Sequence, residues 1–148
     1  MAILRSPFRE RFGIPRQPGL VPDVPGTLVF VPPYDRPEAV AGLEAFSHVW
    51  LLFRFHANPP SGPTLTVRPP RLGGNERVGV FASRSPFRPN GIGLSVARLE
   101  RLEQTPAGPV LRLRGVDLLD GTPVLDVKPY VPYTDLVPDA SEGFAAGD

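Results

Sequence analysis

Prolines punctuate this chain from end to end. There are 21 of them with 15 glycines in 148 residues, together about a quarter of the sequence. Each proline inside a helix costs ~3 kcal/mol, so long helices are disfavoured. The prolines separate short, strongly apolar segments, a pattern that describes strands joined by turns and not a disordered chain. At 148 residues the chain suits one domain, and a domain of this size buries roughly 70% of the surface its unfolded form exposes.

Several classes of chemistry are excluded at once. With no cysteine there are no disulfides, thiolate metal sites, iron–sulfur clusters or cysteine nucleophiles. Two histidines make a histidine-rich metal site a poor fit, so no metal is expected. No apolar run approaches the ~20 residues of a membrane-spanning helix and no signal peptide is visible, which points to the cytosol. The net charge of +1 conceals a segregation. Arg5, Arg9, Arg11 and Arg16 face only Glu10 near the start. Arg68, Arg71, Arg77, Arg84 and Arg88 face only Glu76, and the last 32 residues set seven acids against Lys128. Lys128 is the only lysine beside 15 arginines. Arginine presents a planar fork suited to carboxylates and phosphates.

Residues 1–26 read as an extended segment or loop and 27–33 as a strand stopped by two prolines. Residues 36–46 are the best helix candidate, with Asp35 as cap, Pro37 in the first turn and Glu38 completing a capping box. Residues 46–57 alternate at strand period. Val49, Leu51, Phe53 and Phe55 form a core face; Phe46, His48, Trp50, Leu52, Arg54 and His56 form a mixed face suited to a pocket or an interface. Residues 77–82 read as a strand, 83–93 as irregular, and 94–103 with 109–116 as a hairpin through Pro106 and Gly108. Asp120–Gly121 marks a tight turn, and 124–130 a last strand with Asp126, Lys128 and Tyr130 on one face. Strands follow strands without intervening helices. The expected fold is mainly β, an antiparallel barrel or closed sheet with one short helix, over residues 1–135, followed by an acidic, flexible tail at 136–148.

Familiar cofactor motifs are missing. Gly91 and Gly93 lack the third glycine of a dinucleotide fingerprint, and Gly73–Gly74 is not followed by a phosphate-loop Gly-Lys-Ser/Thr. His48 and His56 are too far apart on one strand to share a metal unaided. The segment RPPRLGGNERVGVFASRSPFRPNGIGLS, residues 68–95, is the most unusual stretch. Its arginines are held between rigid turns, and its glycines permit close approach of a ligand, which suits phosphates or a ligand carboxylate. Asp126 and Lys128 have an ordinary reading as a surface ion pair, worth ~0–1 kcal/mol.

SPF at 6–8, GIPRQPGL at 13–20, GLEAFSHVWLLFRFH at 42–56, the 68–95 segment and DLLDGTPVLDVKPYVPY at 117–133 occur in an order that resembles the TsaA-like family over residues 5–135. The resemblance implies a single-sheeted β-barrel that forms homodimers. It implies transfer of a methyl group from S-adenosylmethionine to N6 of threonylcarbamoyladenosine at position 37, in the anticodon stem-loop of tRNA. It also implies donor-binding positions at Pro15, Arg16 and Gln17, at His56 and Ala57, at Arg84 and Leu94, and at Asp120, Gly121, Thr122 and Pro123. Longer family members carry a further C-terminal domain. This sequence stops soon after the barrel, so dependence of tRNA affinity on the basic loops is expected.

Chemistry narrows the remaining roles. A sulfonium donor requires carbonyls or an aromatic face for its cation and an arginine or N–H groups for its carboxylate. The acceptor nitrogen is a weak nucleophile, so positioning is worth ~7–11 kcal/mol and a base a further ~10²–10⁴ in rate. Asp126, His48 and Tyr130 are the candidate bases, with nothing in the sequence to choose among them. Arg77 or Arg88 suits the threonyl carboxylate of the substrate, and Asn90 and Lys128 complete the expected substrate contacts. Two other readings stay open: a non-catalytic tRNA-binding barrel, and a small-molecule methyltransferase on the same fold.

Overall fold

The computed structural model describes residues 1–10, 14–15, 20–56 and 64–146. Six strands close an antiparallel barrel: β1 (Ala2–Arg5), β2 (Pro25–Phe30), β3 (His48–Arg54), β6 (Ile92–Thr105), β7 (Gly108–Arg114) and β8 (Thr122–Pro129). Their order around the barrel is β1-β2-β7-β6-β3-β8, and β8 pairs with β1 to close it. Two short strands, β4 (Thr66–Val67) and β5 (Val78–Gly79), form a separate two-stranded sheet. A four-residue helix, α1 (Pro132–Asp135), follows the last strand. The expected antiparallel barrel with one short helix is the fold observed. Among the described residues no helix is long and apolar enough to cross a membrane.

Strand period two dictates which residues fill the barrel. Leu4, Leu28, Val49, Leu51, Leu111 and Val124 point inward and are fully buried. They come from five strands, so the core forms only when the barrel closes. The pairing of β3 with β8 shifts register between Leu52 and Phe53, where Leu52 faces Asp126 and Phe53 faces Val124. That extra residue, Leu125, is a β-bulge; bulges bend a strand and re-aim its side chains.

Three local readings are corrected. Residues 36–46 do not form a helix but two 3₁₀ turns, Pro37–Val40 and Leu43–Ala45. Gly42 separates them with φ +86°, a left-handed conformation that no α-helix accommodates, and no side chain caps the first turn. The first segment is not all loop, because Ala2–Arg5 pairs with β2 on one side and β8 on the other. Residues 77–82 supply only the two residues of β5 before the chain turns at Val80–Ala82.

Candidate functional site

The C-terminal end of β3, the loop before β6 and the loop before β8 meet at one end of the barrel. Between them lies a cleft with two lobes, of about 200 and 410 Å³. Phe53, Phe55, Pro86, Asp117 and Leu118 border both lobes and form the waist between them. The Phe53 and Phe55 rings meet edge to face, with centroids 5.1 Å apart. Opposite them Gly93 lines the larger lobe, and a Cβ there would collide with both rings. The two rings can pack against β6 there because this position has no side chain.

The loop carrying Arg84 and Arg88 is held by its own polar groups. Ser83 Oγ donates to the Val80 carbonyl at 2.8 Å, and the Arg88 guanidinium donates to the Ser83 carbonyl at 2.6 Å. The Ser85 N–H donates to Ser83 Oγ and the Phe87 N–H to Ser85 Oγ, two successive side-chain turns that fix an otherwise irregular segment. On the other side, the Ser6 N–H donates to Asp120 Oδ1 at 3.0 Å, and the Gly121 N–H donates to the Leu4 carbonyl at 2.8 Å. These bonds stitch the turn before β8 to the end of β1.

The expected donor positions fall into groups. Pro15, Arg84 and Leu94 line the larger lobe, and His56 and Thr122 line the smaller one. Asp120 and Gly121 form the turn that sets Thr122 in place, and Pro123 lies on β8 paired with Ile3. Arg16, Gln17 and Ala57 lie outside the described residues. Of the expected substrate contacts, Arg88 lines the larger lobe. Asn90 occupies the next turn with φ +65°, Arg77 donates to Thr66 Oγ1 at 3.1 Å, and Lys128 sits 3.2 Å from Asp126 on the barrel exterior.

The three candidate bases do not line the cleft. Asp126 pairs with Lys128. His48 shares a 2.8 Å hydrogen bond with Ser47 Oγ, and its ring lies against Tyr130. His48 begins β3 and the cleft lies at its other end, up to six residues or about 20 Å further along the strand.

The side chain that sequence reasoning missed is Asp117. Ser95, almost fully buried on β6, donates its hydroxyl to Asp117 Oδ1 at 2.8 Å. Burial pushes the Asp117 carboxyl above the ordinary carboxylate value; the Ser95 bond, its own backbone N–H and the charge of Arg84 each pull it partly back. The mixed face of β3 is also divided. Arg54 and His56 reach the cleft, whereas Trp50 turns to Tyr130 and Asp135. Phe53 and Phe55, expected as plain core, serve as cleft wall as well.

The cleft thus offers an aromatic and apolar waist, one carboxylate at that waist and two arginines in the larger lobe. That donor set fits a ligand with a central cation and a terminal carboxylate. Among the described residues no cluster of three or more acidic or imidazole groups is placed to hold a metal.

Known proteins resemble this chain over nearly its whole length. The tRNA-methyltransferase O N-terminal domain matches residues 3–136. A tRNA (adenine(37)-N6)-methyltransferase of Escherichia coli is 52% identical, the match covering 98% of this chain and 62% of the relative. A putative S-adenosylmethionine-dependent methyltransferase of Pseudomonas aeruginosa is 61% identical, covering 96% and 60%. The crystal structure of TrmO from Pseudomonas aeruginosa superposes with a TM-score of 0.81 at 53% identity, covering 99% of this chain and 60% of that one. The chain therefore spans about three fifths of the length of these relatives. An antiparallel six-stranded barrel and a family match across residues 3–136 lead to one assignment: the chain belongs to the tRNA-methyltransferase O family, in the part that corresponds to its N-terminal domain.

Proposed function

We propose that this domain binds S-adenosylmethionine in the two-lobed cleft and methylates N6 of threonylcarbamoyladenosine at position 37 of tRNA. The observation that carries this reading is the convergence of Pro15, His56, Arg84, Leu94 and Thr122 on one cleft, from four separated stretches of sequence. When bound, the donor supplies an electrophilic methyl group on a sulfonium sulfur. The chain's own residues supply position. Phe53 and Phe55 give the cation an aromatic wall, Arg84 faces a carboxylate, and Gly93 lets both rings sit where they do. The acceptor's threonyl carboxylate is assigned to Arg88, in the same lobe, with Asn90 in the adjoining turn. Without that group on the adenine the arginine would lose its partner, which gives selectivity for the modified base. Arg77 and Lys128 then serve as outlying contacts to the tRNA backbone.

Further parts of this reading are that the acceptor is the anticodon stem-loop, that the domain ends near residue 135 with a mobile acidic tail, that the protein works as a homodimer and that it acts in the cytoplasm. The exposed Phe46, Tyr133, Leu136 and Val137 near the end of the barrel away from the cleft support self-association.

Incubation with labelled S-adenosylmethionine and two matched tRNAs tests the reaction. One tRNA carries threonylcarbamoyladenosine at position 37 and the other carries adenosine. Labelling of only the first is expected. Labelling of neither, with the donor still bound, contradicts the proposed acceptor and returns the small-molecule methyltransferase. Absence of donor binding returns the tRNA-binding barrel.

A further inference from the structure

Among the described residues Asp117 is the only carboxylate that borders the cleft, and it borders both lobes. Its neighbours at the waist, Phe53, Phe55, Pro86 and Leu118, carry no charge. The Ser95 hydroxyl holds Oδ1 at 2.8 Å from inside the barrel, where Ser95 is 3% exposed. The carboxylate of this loop residue is therefore tied to the barrel through β6, and its surroundings strengthen any charge interaction it makes.

We infer that Asp117 is the group by which the cleft distinguishes a sulfonium donor from its neutral thioether product. The inference rests on the donor site proposed above. The expected donor positions are split between the two lobes, so the middle of the ligand crosses the waist. In S-adenosylmethionine the middle is the sulfonium. S-adenosylhomocysteine has the same nucleoside, the same ammonium and the same carboxylate, and lacks only one methyl group and one positive charge. Contacts to the shared parts cannot separate the two ligands. A carboxylate at the waist separates them by charge, and after methyl transfer it faces a neutral sulfur. The product then leaves a partly desolvated carboxylate that has lost the sulfonium and keeps only the charge of Arg84, a cost that favours release. The upward shift that burial imposes on this carboxyl agrees with a site that gains from a cation.

Calorimetry on the full chain tests this with three ligands: S-adenosylmethionine, S-adenosylhomocysteine, and sinefungin, in which an amine-bearing carbon replaces the methylated sulfonium. The wild type is expected to bind both cationic ligands more tightly than the neutral one. Asp117→Asn keeps the shape and an acceptor for Ser95. It is expected to weaken both cationic ligands by at least about tenfold and to change the neutral one by less than about threefold. Asp117→Glu is expected to restore the preference. Equal weakening of all three ligands in Asp117→Asn would place the carboxylate on a shared group and overturn the inference, as would no change in any of them. A wild type that binds all three equally overturns it without any variant, including the case in which Asp117→Asn does not fold. A wild type that binds none of them overturns the donor site itself, a result distinct from the others.

Discussion

The Trp50 indole N–H donates to Asp135 Oδ2 at 3.0 Å, joining the middle of β3 to a helix that begins after the barrel has closed. The same oxygen accepts the Val131 N–H at 2.8 Å, so Asp135 both completes the start of α1 and anchors it. Tyr130 packs on the indole with ring centroids 5.6 Å apart.

These two hydrogen bonds hold the Asp135 carboxyl below its ordinary value of 3.8. A carboxyl with a depressed folded-state pKa contributes stability that is present above the unfolded value and is lost as pH falls through the folded one. Trp50 is the only tryptophan, so its emission reports on the surroundings of this one indole. Emission is expected to stay constant from about pH 7 to pH 5 and to change only below the ordinary carboxylate range. Asp135→Ala is expected to show the changed emission already at neutral pH. Identical spectra for the variant and the wild type would contradict the contact.

Core and surface leucines should separate cleanly. Leu111 is fully buried in β7 and Leu65 is 78% exposed. Leu111→Ala is expected to cost ~2–5 kcal/mol, and Leu65→Ala to stay within ~0.5 kcal/mol. Urea denaturation measures both. Similar losses at the two positions would contradict the arrangement of the core.

Arg84 and Arg88 lie in one loop but have different proposed partners. Arg84→Ala is expected to weaken S-adenosylmethionine by about tenfold, as loss of a charged hydrogen bond does. Arg88→Ala is expected to leave donor affinity within about threefold and to lower methyl transfer to tRNA. Equal loss of donor affinity in both variants would remove this division.

Asp117 should also leave a mark on stability. Its folded-state pKa is raised by burial, so its ionised form costs stability once pH rises through that value. Asp117→Asn removes the charge and keeps an acceptor for Ser95. The variant is expected to be at least as stable as the wild type near pH 7, with the difference shrinking near pH 4. Urea midpoints at the two pH values measure this. A variant markedly less stable at neutral pH would show that the ionised form is favoured by the fold.

Much of this was legible because it is local. The alternation from Val49 to His56 marks β3 and both its faces, and Pro106 with Gly108 marks the β6–β7 hairpin. Asp120–Gly121 reads as a turn and is one, with Gly121 at φ +81°. What was missed depends on distant partners. Ala2–Arg5 is too short to stand out until β2 and β8 flank it. Residues 36–46 carry helix signals that Gly42 interrupts. Asp117 lies within GVDLLDGTP, where the turn at Asp120 explains the composition, and its importance appears only when Ser95, 22 residues earlier, comes beneath it. The cleft is likewise invisible locally, because it exists where Gly93 passes under two rings of β3 and the residue following it.

Gly93 supplies the most direct test of the account. A methyl group there would run into the Phe53 and Phe55 rings, which would have to shift at the waist of the cleft. The measurement is calorimetric titration of S-adenosylmethionine into the wild type and into Gly93→Ala, with circular dichroism to verify that the barrel persists. The account predicts micromolar or tighter binding by the wild type and at least about tenfold weaker binding by a folded variant, since the displaced rings form the waist that the donor crosses. Undiminished binding by folded Gly93→Ala would contradict the cleft as the donor site.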